Sequence, residues 1–111
     1  MLLSQVSFRT LAFLFVARIM LYTKNGGEVM KIAVISAILE EPSLCQEEFN
    51  RLVSDFRGII KGRMGIPFEE GISVVSITLV GDLNEINALT GKLGNINGVT
   101  VKTAIAKKEL Y

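Results

Sequence analysis

Histidine is absent from the 111 residues, and cysteine occurs once, as Cys45. The first absence removes the commonest general acid–base and the commonest transition-metal ligand together, so no metal site and no cofactor are expected. The second rules out an internal disulfide, which suits a reducing cytoplasm, the compartment expected for the chain. Charge of one sign is also missing: 12 Lys and Arg stand against 11 Asp and Glu, a formal +1. A near-neutral chain has no electrostatic footprint for a phosphate backbone, so direct nucleic-acid binding is not expected. The apolar run Leu11 to Ala17 is seven residues long, well short of the roughly 20 that a membrane-spanning helix needs.

Residues 1–29 differ in character from residues 30–111. The first segment holds Arg9, Arg18 and Lys24 against Glu28, while the remainder is slightly acidic. As a secretory signal it fails where Arg18 and Lys24 replace a small-residue cleavage site. As a surface anchor it lacks one clean apolar helical face. Gly26-Gly27 is what a purine-rich ribosome-binding sequence would encode ahead of Met30. Residues 1–29 are therefore read as an N-terminal extension that arises from a misassigned translation start. A genuine N-terminal helix or arm is the second reading, and a signal or anchor the last.

What the chain does have is an internal repeat at an offset of 40 residues. Ile32 to Leu39 aligns with Ile72 to Leu79, Phe49 with Leu89, Val53 with Leu93, and Gly58-Ile59 with Gly98-Val99. Each copy reads as strand, helix, strand. Two copies give an α+β fold, the ferredoxin-like βαββαβ arrangement, with a four-stranded antiparallel sheet and two helices on one face. Half the residues are hydrophobic, enough for one core in one domain over residues 30–111.

Lys31 to Leu39 is β-branched and small, without a breaker, and predicts a strand. Glu40-Glu41-Pro42-Ser43 ends it and opens a helix, with Glu47 placed to help cap it. Leu44, Phe49, Leu52, Val53 and Phe56 are read as its buried stripe, and Gly58 as its end. Ile59 to Met64 is the second strand and Gly65 to Gly71 a loop. Ile72 to Val80 is the third. Gly81-Asp82 offers an N-cap to a second helix with Leu83, Ile86, Leu89 and Leu93 inward. Gly94 to Gly98 closes that helix, Val99 to Ala106 is the fourth strand, and Lys107 to Tyr111 a polar tail.

All the strands carry small and apolar residues on both faces. Two helices cover one face of such a sheet, so the other is left moderately apolar instead of charged, unlike a solvated antiparallel face. A patch of that kind marks a partner surface. A homo-oligomer, dimer or tetramer, is the expectation, through the sheet face or through strand edges.

Groups suited to chemistry are few. Cys45 has no base to activate it, and Glu47 and Glu48 oppose a thiolate beside it. Glu40-Glu41 and Glu69-Glu70 are adjacent pairs that do not converge on one substrate atom, and the spacing of a calcium loop is missing. Lys61 to Phe68 is neither a phosphate loop nor a dinucleotide fingerprint. Either Arg63 clamps a carboxylate or phosphate there, or Gly62 and Gly65 serve a bulge in an edge strand.

The stretches Ile32-Ala33-Val34-Ile35, Cys45 to Asn50, Gly58 to Pro67 and Asn84 to Gly94 resemble the iron-only hydrogenase system regulators, over residues 31–108. The phrases Gly62-Arg63-Met64-Gly65-Ile66-Pro67 and Leu89-Thr90-Gly91-Lys92-Leu93-Gly94 carry most of that resemblance. It implies an ACT-like domain, similar to the C-terminal sensing domain of nickel-responsive repressors, and a regulatory, non-enzymatic role beside the [FeFe]-hydrogenase maturation machinery. The histidines that hold nickel in that cousin are missing here, and residues 1–29 do not show its DNA-binding arm. In an ACT-like domain a ligand lies where the loop after strand one meets a neighbouring subunit. That nominates Glu40 and Glu41 for a small-molecule ligand, with Arg63 and Met64 from the glycine-rich hairpin. The alternative is a ligand-free module that docks on a hydrogenase maturation protein.

Overall fold

Alternation of side chains across extended β-branched runs decides the architecture, because one set of each run must leave water. The structure, a computed structural model, describes residues 29–110. The division at residues 1–29 therefore lies outside the described residues except for Val29. The elements are β1 (Met30–Leu39), α1 (Pro42–Asp55), β2 (Ile60–Pro67), β3 (Ser73–Asp82), α2 (Leu83–Gly94) and β4 (Val99–Glu109). They form the expected βαββαβ order, and the sheet runs β2-β3-β1-β4 with every neighbouring pair antiparallel. The first strand of each repeat lies at the centre, with Ile35 opposite Ile77 and Ala37 opposite Val75.

The helices cover one face only. Ala33, Ile35, Ala37 and Leu39 of β1 and Val75, Ile77 and Leu79 of β3 meet Phe49 and Val53 of α1 and Ile86, Leu89 and Leu93 of α2 in one core. The residue pairs of the repeat, Phe49 with Leu89 and Val53 with Leu93, are all buried. No fully buried residue is charged or polar among the described residues, so the core rests on apolar burial at about 25 cal/mol per Å².

Several local readings change. Leu44 is 79% exposed, and Cys45 takes its place in the core. Cys45 stands one turn before Phe49, whereas Leu44, five residues back, lies about 140° round the helix. The α1 N-cap is Glu41, with no side-chain cap bond and Pro42 behind it; Glu47 is too far into the helix to reach the free amides. The second strand runs on to Pro67, because Gly65, Ile66 and Pro67 pair with Val75, Val74 and Ser73. An edge strand tolerates the missing proline N–H. The register of β2 shifts between Ile60 and Gly62, with Gly62 itself paired to Thr78 and Lys61 left without a partner, and the positive φ of this hairpin falls at Gly71 (+84°) instead. Lys107 to Glu109 are strand as well, with Glu109 opposite Lys31.

Candidate functional site

The junctions at one end of the sheet form a concavity with carboxylate lining. Leu39 pairs with Val99, which sets the β1–α1 turn beside the α2–β4 turn. The Glu40 amide then donates to the Gly98 carbonyl at 2.9 Å. Gly98 makes this approach with φ +87°, a left-handed conformation that costs side-chain-bearing residues energy. Between the two turns opens a cleft of about 650 Å³. Glu40, Glu41, Leu44 and Glu48 line one wall, and Asn95, Ile96, Asn97 and Gly98 the other.

Three carboxylates thus border the cleft, and no Lys or Arg is among its lining residues. Glu48 lies 4.0 Å from the exposed Arg51, a contact worth well under 1 kcal/mol at the surface. Cys45 lies behind the wall, buried, its thiol donating to the Glu41 carbonyl at 3.5 Å. Among the described residues no three His, Cys, Asp or Glu side chains are grouped to hold a metal ion. The cleft has the composition of a binding site for a polar or cationic group and holds no nucleophile–base pair.

The four residues nominated from the sequence do not come together. Glu40 and Glu41 lie on the cleft, but Arg63 and Met64 stand on β2, an edge strand, and point to opposite faces. Arg63, opposite Ile77, is on the helix side. Its guanidinium donates to Asn50 Oδ1 at 2.8 Å and sits 5.8 Å from the centroid of the Phe49 ring. It therefore holds β2 against α1. Met64, opposite Ser76, is on the far side and 59% exposed. Leu44, Glu48 and Asn95 to Asn97 join the cleft only through strand pairing, and the sole hint in the sequence was the Gly98 position of the repeat.

The far side of the sheet is the second candidate surface. Ile66, Val74, Ile38 and Thr100 form one row across the four strands, and Met64, Ser76, Ser36 and Lys102 the next. Gly62, Thr78, Val34 and Ala104 form the third, with Val80 and Ile32 beyond them. Ile32, Val34, Ile38, Met64 and Ile66 are all exposed here. Of the residues in these rows, Lys102 alone is charged. No described helix is long and apolar enough to cross a membrane.

Comparisons with known proteins agree with this geometry. The TM1266-like family model, described as "Iron-only hydrogenase system regulator, putative", matches residues 31–103. An uncharacterized protein of Thermotoga maritima, TM1266, is 33% identical in sequence, with a TM-score of 0.68 over 70% of this chain and 99% of that one. An unknown protein from Galdieria sulphuraria shares the fold alone, at 12% identity and a TM-score of 0.51, over 71% of this chain and 46% of that one. No protein with a curated description matches the chain.

Proposed function

The chain belongs to the TM1266-like family of iron-only hydrogenase system regulators, and on that footing we propose a non-enzymatic, cytoplasmic sensing module for that system. It self-associates, and it takes a small ligand in the cleft between the β1–α1 and α2–β4 turns. The observation that carries the sensing role is the cleft itself: about 650 Å³, bordered by Glu40, Glu41 and Glu48. A carboxylate-lined cleft selects cationic or multiply hydrogen-bonding groups. Arg63 stands outside this site in the proposal, since Asn50 and Phe49 already engage it. Met64 belongs with the sheet face.

A ligand-free docking module on a hydrogenase maturation protein is the second reading, favoured by the exposure of Leu44 at the cleft wall. Thermal-shift measurements with amino acids, nucleotides and polyamines separate the two. A ligand at a hundred times its Kd stabilises the folded chain by about 2.7 kcal/mol, and Glu40→Gln with Glu41→Gln should remove that gain. A flat response to every compound, together with capture of a maturation protein that Leu44→Glu abolishes, would transfer the role to docking.

A further inference from the structure

We infer that the uncovered sheet face is occupied by a second copy of this chain, related by a twofold axis running along the strands between β3 and β1. This deepens the self-association in the reading above by assigning its surface and its symmetry.

Three observations support a copy as the occupant. The first is area. Eight paired positions of β1 and β4, at about 3.3 Å each, and four strands about 4.8 Å apart outline roughly 500 Å² of sheet. Side-chain relief raises the accessible area toward the roughly 800 Å² per partner of a standard interface. The second is composition. Five exposed large apolar residues share the face with only Lys102 charged in its rows, and two like sheets pack face to face about 10 Å apart through such side chains. The third is self-complementarity, which an isologous contact demands. The row of Ser76 and Ser36 divides the face into two apolar bands, Ile66, Val74 and Ile38 on one side and Val34, Ile32 and Val80 on the other. A twofold axis in the plane of the face and through its centre, directed either along or across the strands, lays serines on serines and apolar band on apolar band.

Lys102 chooses between the two axes. An axis across the strands stacks β4 on β4 and sets two Lys102 ammonium groups against each other. An axis along the strands places β4 over the partner's β2, so that the Lys102 stem covers Met64 and its head reaches water at the rim. Both residues are in the serine row, at its opposite ends, as that contact requires.

Light scattering of the full chain at micromolar concentration should give twice the chain mass. Val34→Lys and Ser76→Lys should each weaken the dimer at least tenfold, because each buries an unpaired charge. Leu44→Lys, on the helix side, should leave it unchanged, and circular dichroism confirms that each variant folds. In a Cys45→Ala background, Met64→Cys with Lys102→Cys should crosslink between subunits, while either cysteine alone should not. A monomeric full chain overturns both the face and the self-association. A dimer indifferent to both lysine variants overturns the face and leaves the regulatory reading standing. Crosslinking by Lys102→Cys alone overturns the axis.

Discussion

Single residues in this domain differ in weight according to which side of the sheet or helix they occupy. Leu44 and Leu89 are the same residue type on two helices, one 79% exposed and the other fully buried. Leu89→Ala should cost about 2–5 kcal/mol, the range for emptying a packed leucine site. Leu44→Ala should stay within about 0.5 kcal/mol of the unmutated chain. Urea unfolding of both checks the helix orientation, and equal losses would contradict it. Arg63 sits between these extremes. Its bond to Asn50 is exposed, so Arg63→Ala should lose no more than about 1 kcal/mol.

At the scale of elements, the two halves of the repeat start their helices differently. Asp82 caps α2 through its Oδ1, which accepts from the Glu85 amide at 2.8 Å, and Glu85 Oε1 accepts from the Asp82 amide at 3.1 Å. The carboxylate of Glu85 packs so closely that a Cβ on Gly81 would lie 2.9 Å from it. In the first half Glu41 offers no side-chain cap. Asp82→Ala should therefore destabilise the fold by about 1 kcal/mol, while Glu41→Ala should have little effect on chemical denaturation. The glycines at equivalent repeat positions also part company. Gly98 has φ +87°, so Gly98→Ala should cost about 1–2 kcal/mol. Gly58 is not among the positive-φ glycines and has open space around its Cβ position, so Gly58→Ala should be neutral or slightly stabilising.

For the whole molecule, the described core closes on itself from β1 onward. Among the described residues, every buried member of the hydrophobic cluster lies between Ala33 and Val99. Residues 30–111 expressed alone should melt within a few degrees of the full chain, and loss of folding on that truncation would overturn the reading of residues 1–29 as a dispensable leader. Metal analysis of untagged protein should return substoichiometric nickel, zinc and iron after dialysis, since tight transition-metal sites draw on imidazole and clustered thiolates. Stoichiometric metal that disappears in Cys45→Ala would refute this.

Much of this was legible in the residue order, because periodicity is a local property. Alternation in Ile32 to Leu39, its echo 40 residues later, and the Phe49–Leu89 and Val53–Leu93 correspondences were enough to determine the βαββαβ order and most of the core. The same local patterns failed where two registers fitted equally. An apolar strand with two apolar faces does not say which one the helices cover, and a helix stripe read from Leu44 competes with one read from Cys45. Only the docking of α1 and α2 on Ile35 and Ile77 settled both. The cleft was beyond sequence for a further reason. Its walls lie far apart along the chain, Glu40 to Glu48 on one side and Asn95 to Gly98 on the other, and meet because Leu39 pairs with Val99. Long-range register of this kind comes from the joint fit of all four strands, so Glu40 and Glu41 could be suspected one residue at a time, but their separation from Arg63 and Met64 was decided by the tertiary structure.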